Sequence, residues 1–385
     1  MVDLPQKLAR KLDQRREKNA FRHLPDVNHD LIDFSSNDYL GLARSRALFR
    51  AADDFLNKTQ SFGNGSTGSR LITGNHPLYV TLEKKFCEFH QSESALIFNS
   101  GYDANLGFFA SVPQRGDIIL YDEYIHASIR DGLSLGQGKA IKFRHNSLDD
   151  LKNKLNRERA KILENAVVYV VTESIFSMDG DSPDLKLLVD FCEVNNCYLV
   201  VDEAHAVGVF GDKGEGLVQQ LNLQKRIFAR IVTFGKGVGC HGAVVLTSES
   251  LKSYLINFAR SFIYTTGLSP HSLATIFMAY DELDKKSKAI SQLRKNIEFF
   301  KIEAERLNLS SRFINSNSAI HCFLVANIDK AKTFSLKLQE GACDVRAILS
   351  PTVPEGQERL RICLHSYNTD EEILKMLRLL SVLVS

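Results

Sequence analysis

The sequence has no long hydrophobic run. Nowhere in its 385 residues do eighteen consecutive apolar residues occur, so no segment qualifies as a membrane-spanning helix. The first eighteen residues, MVDLPQKLARKLDQRREK, carry too many charges for the apolar core of a secretory signal peptide. We therefore expect a soluble, cytoplasmic protein.

An excess of one charge sign is also missing. Lys plus Arg number 48 against 46 for Asp plus Glu, which leaves a formal net charge of +2. Such a chain has no strong field to attract nucleic acid or an anionic membrane, so small-molecule chemistry is the better expectation. The sequence also lacks low-complexity stretches and 20–50-residue repeats, which argues against a flexible linker or a solenoid.

Paired cysteine motifs are absent as well. The seven cysteines are odd in number and lie mostly in apolar runs. Cys192 and Cys197 are close in sequence, but no second pair at a metal-binding spacing accompanies them. We predict reduced core cysteines and no metal site.

What the sequence does contain is a regular alternation of short apolar runs and amphipathic stretches between about residues 46 and 280. The apolar runs are SALIFN, DIILYD, AIKFR, AVVYVVT, CYLVVD, RIVTF and GAVVLT. This rhythm predicts an α/β fold with a mainly parallel sheet. We divide the chain into an N-terminal arm (1–45), a large domain (46–285) and a smaller α+β C-terminal domain (286–385).

Two of these runs end in chemically distinctive residues. CYLVVDEAHAVG (197–208) delivers Asp202 and His205, and TFGKGVG (233–239) sets Lys236 between glycines just after the next strand. Parallel strands bring such residues to one sheet edge. A buried carboxylate and a lysine suit pyridoxal phosphate, because the lysine forms a Schiff base with the cofactor aldehyde while the carboxylate keeps the pyridine nitrogen protonated.

A nucleotide-binding site is an alternative interpretation, because Gly-Lys occurs in phosphate loops and DEAH resembles a helicase motif. A Walker loop needs a glycine five positions before Gly235 and Ser or Thr after the lysine. The chain has Arg230 and Gly237 at those positions, so this interpretation fails.

Seven motifs in a specific order extend the pattern over nearly the whole chain. They are SSNDYLGLA (35–43), GSTGSRLITGNH (65–76), NSGYDAN (99–105), TESIFSMDGD (172–181), DEAH, TFGKG and PTVPEGQERLRI (351–362). With them the chain resembles the α-oxoamine synthases, which are fold-type I, aspartate aminotransferase-like pyridoxal phosphate enzymes. The resemblance implies that Lys236 forms the Schiff base, Asp202 pairs with the pyridine nitrogen and His205 contacts the ring oxygen. It also implies that His126 stacks on the cofactor ring and orients the reacting carbonyl.

The resemblance further implies how the cofactor phosphate is held. Backbone groups at Gly101 and Tyr102 and the hydroxyl of Thr233 match phosphate-binding positions, and Ser177 matches another cofactor position. Tyr264, Thr265 and Thr266 match a segment that, in relatives, reaches the phosphate of the neighbouring subunit. The resemblance therefore implies a homodimer with shared active sites.

For substrates, the resemblance implies condensation of L-alanine with a pimeloyl thioester. The matching substrate positions are Asn37, His126, Thr352, Arg361 for the amino-acid carboxylate, and Arg22 for the distal end of the acyl chain. Arg359 and Arg361 share one strand face by alternation, so the alternative is that one of them only pairs with a surface acidic residue.

One departure from the family pattern concerns the substrate. Relatives commonly read IRPPTVP, whereas this chain reads AILSPTVP, which puts Leu349 where a second substrate-binding arginine is expected. Arg346, three residues earlier, is a possible replacement. The shared catalytic residues leave open a synthase that joins glycine to an acetyl or succinyl thioester, or serine to a long acyl thioester. The thiol carrier, coenzyme A or an acyl carrier protein, also stays open, while a non-catalytic scaffold is disfavoured because Lys236 and its partners are all present.

Overall fold

The computed structural model describes residues 4–17, 21–22, 24, 30–159, 165–285 and 288–384. The strands are β1 (Ile32–Asp33), β2 (Ser94–Phe98), β3 (Ile118–Asp122), β4 (Lys139–Phe143), β5 (Val168–Glu173), β6 (Tyr198–Asp202), β7 (Ala229–Thr233), β8 (Ala243–Thr247), β9 (Ile320–Leu324), β10 (Cys343–Asp344), β11 (Arg346–Ile348) and β12 (Arg359–Cys363). The helices are α1 (Gln6–Glu17), α2 (Arg46–Lys58), α3 (Pro77–His90), α4 (Gly101–Ser111), α5 (Ala127–Leu135), α6 (Leu148–Arg159), α7 (Leu185–Val194), α8 (Leu217–Gln220), α9 (Glu249–Phe258), α10 (Arg260–Ile263), α11 (Pro270–Asp284), α12 (Lys288–Arg306), α13 (Ile328–Glu340) and α14 (Asp370–Val384).

The predicted strands assemble into one central sheet of seven strands in the order β2-β8-β7-β6-β5-β3-β4. All pairs from β7 to β4 are parallel, and β8 runs antiparallel to both β7 and β2. The α/β class and the mainly parallel sheet are thus confirmed. Parallel strands require crossover connections, which the intervening helices supply.

Helices cover both faces of this sheet, which explains why its strands are continuous apolar runs. Side chains of a strand alternate between faces, and β6 shows the result: Val200 belongs to the apolar cluster beneath α4 and α5, whereas Val201 belongs to the larger cluster on the other face. Burying each such side chain contributes about 1.5–3 kcal/mol. The sheet is therefore a rigid platform for the loops at its edge.

The C-terminal part carries a second, antiparallel sheet with β12 between β11 and β9. The N-terminal segment joins it: β1 pairs with β10, and Phe34 O accepts a hydrogen bond of 2.8 Å from Cys363 N. These contacts tie residues 32–39 to the C-terminal unit. The domain limits at residues 45 and 285 stay a prediction.

Among the described helices, none combines the length and the apolarity needed to cross a membrane.

Candidate active site

Three parallel strands end at one edge of the central sheet and present polar side chains there. Glu173 ends β5, Asp202 ends β6 and Thr233 ends β7, and the two acidic residues are register partners. Asp202 is buried, and its carboxylate accepts hydrogen bonds from Asn105 Nδ2 at 2.9 Å and from Ala204 N at 2.8 Å. Two fixed donors hold this carboxylate in one orientation. Pockets at the carboxyl ends of parallel strands are the usual ligand sites of such folds.

Lys236 lies in the loop that follows β7 and turns towards the same edge. Its amine is 2.7 Å from His205 Nε2. The loop packs so closely on the turn after β6 that a Cβ atom at Gly237 would lie 2.4 Å from Val207 O, so only glycine fits there. Burial lowers the pKa of Lys236 to about 8, against the attraction of Asp202 and Glu173. An amine of this pKa is well suited to act as a nucleophile or a base near neutral pH.

A directed chain of hydrogen bonds leaves Lys236 through His205. Because a charged amine only donates, Nε2 of His205 accepts, and Nδ1 carries the ring proton. Nδ1–H donates to the Tyr39 hydroxyl at 2.7 Å, which leaves the tyrosine proton for Asn37 Oδ1 at 3.2 Å. Asn37 Oδ1 also accepts from Arg361 Nη2 at 2.9 Å. Burial and the charges of Lys236 and Arg361 hold the pKa of His205 well below its usual range, so the ring stays neutral.

His126 stands at the start of α5, where its backbone N–H donates to Glu173 Oε1 at 2.6 Å. Its Nδ1 lies 2.8 Å from Ser128 Oγ. Burial and the Lys236 charge lower the pKa of the imidazole. The ring lines a cavity of about 320 Å³ that Ser177 and Thr352 also line. The effect of the Lys236 charge on this ring shows that His126 lies near the lysine.

Glu173 and Tyr39 were missed in the sequence analysis, although both lie within the quoted motifs. Burial raises the pKa of Glu173 well above its usual range, and the neighbouring Asp202 adds to the rise. Tyr39 is fully buried beside His205. Their roles depend on contacts between distant segments, which the motifs alone do not show.

The predicted phosphate-binding residues converge at the start of α4. A Cβ atom at Gly101 would lie 3.2 Å from Thr233 Cβ, which brings β7 against the first turn of the helix. Asn99 Nδ2 donates to Thr265 Oγ1 at 2.9 Å and to Thr266 O at 2.6 Å, so both threonines lie beside the same turn. The free N–H groups of a helix N-terminus attract anions.

The side chain of Tyr102 does not add to this cluster. Its hydroxyl hydrogen-bonds to Asp131, which lies outside the cluster, and the ring is about half exposed. Only the backbone N–H of Tyr102, in the first turn of α4, remains to face an anion. The predicted phosphate contact of that backbone group stays a prediction.

These groups fit pyridoxal phosphate. Lys236 offers an amine to an aldehyde, Asp202 a buried carboxylate to a pyridinium nitrogen, and the α4 N-terminus a set of N–H groups to a phosphate. Beside Asp202, the buried Asn105 Oδ1 has no hydrogen-bond partner in the described structure, as is common where a ligand completes a site. The chemistry of the set matches the three functional groups of that cofactor.

The structure separates the two arginines of β12. Arg359 is fully buried and forms an ion pair with Asp179. Arg361 is also buried, but it donates to neutral acceptors, with Nε 2.6 Å from Ser177 O and Nη2 2.9 Å from Asn37 Oδ1. In the part of the chain that the structure describes, no carboxylate forms an ion pair with Arg361. A buried guanidinium without a counter-ion is a natural place for an anionic ligand.

The remaining substrate positions lie around a second cavity of about 210 Å³. Arg22, Leu349 and Thr352 line it, together with Lys332. Thr352 lines both cavities, so the 349–352 loop separates them. Arg22 is exposed and lines this second cavity, which Lys236 does not line.

Comparison with known proteins agrees with this geometry. The family model of the class I and II aminotransferases matches residues 29–379. A curated 8-amino-7-oxononanoate synthase from Emericella nidulans is 41% identical over 390 residues, which covers 95% of this chain and 92% of the relative. A solved 8-amino-7-oxononanoate synthase from Francisella tularensis is 30% identical, with a TM-score of 0.77 and coverage of 93% and 98%. A serine palmitoyltransferase solved with its pyridoxal phosphate internal aldimine is 25% identical, with a TM-score of 0.87 and coverage of 98% and 96%.

Proposed function

The chain belongs to the α-oxoamine synthases of the class I and II aminotransferase family, and on that premise we propose that it joins L-alanine to a pimeloyl thioester. The products are 8-amino-7-oxononanoate, carbon dioxide and the free thiol, and the reaction belongs to biotin synthesis. The observation that carries the proposal is the pairing of a buried lysine of lowered pKa with an uncompensated buried arginine, Arg361, in one site. The names of the relatives supply the product, 8-amino-7-oxononanoate, and the family resemblance supplies the choice of alanine and the pimeloyl group.

Pyridoxal phosphate, when bound here, would supply an electron sink for negative charge on the α-carbon of the amino acid. Lys236 would hold it covalently, and Asp202, oriented by Asn105 and Ala204, would keep the pyridine nitrogen protonated. His205, whose ring stays neutral, would contact the ring oxygen of the cofactor. The first turn of α4 and the Thr233 hydroxyl would hold the phosphate.

The chain's own groups account for the proton and charge movements. Lys236 Nζ, with a pKa near 8, takes the α-proton of alanine when the Cα–H bond breaks. The α-carbon then bonds to the thioester carbonyl, the C–S bond breaks and the thiol leaves with a proton. His126 donates a hydrogen bond to the oxygen on which negative charge develops. The amino-acid carboxylate, held by Arg361, departs as carbon dioxide, and the α-carbon takes up a proton from solvent in its place.

We also propose that the active enzyme is a homodimer. Two packed segments, 61–74 and 263–270, are joined by the hydrogen bond from Ser66 Oγ to Gly267 O at 2.6 Å. They carry exposed apolar side chains, namely Phe62, Leu71, Ile72 and Tyr264. Such a cluster is typical of a protein interface, and its neighbours Thr265 and Thr266 lie beside the phosphate end of the site. A second copy seated there would be close enough to complete the site.

A test of this assembly uses the charge-introducing variant Ile72→Glu, with Val194→Glu as the control because Val194 is exposed on α7, outside both segments. We expect light scattering to report a dimer for the wild type and the control and a monomer for Ile72→Glu. A wild-type monomer at micromolar concentration would overturn the dimer proposal.

The function itself is tested by incubating the holoenzyme with pimeloyl-CoA and one amino acid at a time, L-alanine, glycine or L-serine. Mass spectrometry identifies the products. We expect 8-amino-7-oxononanoate from alanine and none from the Lys236→Ala variant. Preferential product formation from glycine with acetyl- or succinyl-CoA, or from serine with palmitoyl-CoA, would identify a rival synthase. Replacing coenzyme A by acyl carrier protein in the alanine reaction distinguishes the two thiol carriers.

A further inference from the structure

Two arginines are direct neighbours on adjacent strands of the small C-terminal sheet. Arg346 of β11 is the register partner of Arg361 of β12 in an antiparallel pair. Directly opposite residues of such a pair project from the same face, with Cβ atoms about 4.5–5.5 Å apart. Like charges in this relation are unfavourable unless an anion lies between or beside them. The backbone therefore places Arg346 beside Arg361, whose charge is uncompensated.

The surrounding charges do not balance these two guanidinium groups. Arg361 has no carboxylate partner, as described above, and Arg346 forms an ion pair through Nε with Asp344 Oδ1 at 2.8 Å. The other carboxylate oxygen, Asp344 Oδ2, accepts from Ser35 Oγ at 2.6 Å. Among the described contacts, Asp344 is thus the one carboxylate paired with either guanidinium. Because only Nε of Arg346 is engaged among the described contacts, Asp344 orients the guanidinium and leaves its two terminal amino groups to bind a carboxylate end-on.

Leu349 occupies the position that carries an arginine in the IRPPTVP pattern, and it lines the second cavity with Arg22 and Lys332. It brings no charge to the substrate. Resting on the function proposed above, we propose that Arg346 acts in place of that missing arginine and helps Arg361 to bind the carboxylate of the amino-acid substrate. Arg346 is about half exposed and its pair with Asp344 is partly solvated, so this pair costs little to rearrange when a second carboxylate arrives.

The expected effect follows from the strength of a charge-assisted hydrogen bond. Loss of one such contact weakens binding about 10- to 100-fold. Arg346→Ala should therefore raise the dissociation constant and the KM for L-alanine by that factor, with a smaller change in kcat. Arg346→Lys should recover only part of the affinity, because an ammonium group does not offer the planar, paired donors of arginine.

The test measures the dissociation constant of L-alanine for the holoenzyme from the change in cofactor absorbance, without pimeloyl-CoA. L-Alaninamide, which lacks the carboxylate, is the matched ligand, and we expect Arg346→Ala to leave its binding unchanged. Arg226→Ala is the matched protein control, because Arg226 is also a partly exposed arginine in ion pairs, with Asp190 and Glu193, but lies outside the small C-terminal sheet that carries Arg346 and Arg361.

Two further variants separate binding from structure. If the Arg346–Asp344 pair were only structural, Asp344→Asn would weaken L-alanine binding as much as Arg346→Ala does; we expect it to weaken binding less. Adding Leu349→Arg to Arg346→Ala should restore affinity. Unchanged L-alanine binding in Arg346→Ala, or equal losses for alanine and alaninamide, would overturn the inference. A wild-type holoenzyme that binds none of alanine, glycine or serine would instead overturn the proposed function on which it rests.

Discussion

Replacement of Tyr39 by phenylalanine probes the hydrogen-bond chain that connects Lys236 to Arg361. The substitution keeps the buried ring and so creates little cavity, but it removes the hydroxyl that lies 2.7 Å from His205 Nδ1 and 3.2 Å from Asn37 Oδ1. His205 Nδ1–H is then a buried donor without an acceptor. Leaving such a group unsatisfied costs about 1–3 kcal/mol. The neutral ring relieves this cost by moving its proton to Nε2, which then donates instead of accepting.

A matched control exists elsewhere in the core. Tyr280 is also fully buried, and its hydroxyl lies 2.9 Å from His90 Nε2, so Tyr280→Phe removes a comparable tyrosine–histidine hydrogen bond. Both variants should lower the thermal unfolding midpoint to a similar degree. Only Tyr39→Phe should lower kcat/KM for L-alanine, by about tenfold or more, since the loss of about 1.4 kcal/mol of interaction free energy corresponds to a factor of ten.

The assay combines thermal unfolding, steady-state kinetics and nitrogen-15 NMR of the histidine rings. In the wild type we expect the proton of His205 on Nδ1, and in Tyr39→Phe on Nε2. If Tyr39→Phe keeps both the Nδ1 proton and the wild-type turnover, the assigned direction of the hydrogen bonds is wrong. If Tyr280→Phe lowers turnover as much as Tyr39→Phe, the effect reflects general loss of stability.

Other predictions concern single charged groups. Burial lowers the pKa of Lys236 to about 8 from 10.5, so between these pH values the unfolded chain binds one proton more than the folded chain. The cofactor-free wild type should therefore gain stability relative to Lys236→Met as pH rises through that window. Parallel curves of stability against pH would contradict this. Despite its burial, hydrogen bonds to two aspartates raise the pKa of His145 to about 10. The stability that His145 contributes is therefore complete below pH 6.5 and is lost as pH rises through about 10. In urea unfolding, His145→Gln should reduce the free energy of unfolding less at pH 10.5 than at pH 6. Arg359→Met should cost about 3–5 kcal/mol in urea unfolding because it leaves Asp179 buried and unpaired, and adding Asp179→Leu should recover most of that loss; no recovery would refute the ion-pair explanation. His126→Ala should depress kcat more than cofactor affinity, and unchanged turnover would remove His126 from the chemistry.

The arrangement of the sheet was predictable from the sequence because its cause is local and periodic. A strand buried on both faces must be apolar along its whole length, which made six of the seven strands recognisable. The seventh, the edge strand β4, is largely exposed. The chemistry at the strand ends was predictable for the same reason: Asp202 and Lys236 follow such runs directly, and parallel strands bring their carboxyl ends to one edge. The ordered motifs then identified the family to which these residues belong.

The partners of those residues were decided only by the tertiary structure. Tyr39 and His205 are 166 positions apart in the chain, and no local pattern links them. Arg359 and Arg361 are of one residue type on one strand face, yet only Arg359 meets a carboxylate, that of Asp179. The sequence by itself determined which charged groups the site contains. Which of them are neutralised and which remain to bind substrate was decided by the fold, because electrostatic energy depends on distance and burial in space rather than on separation along the chain.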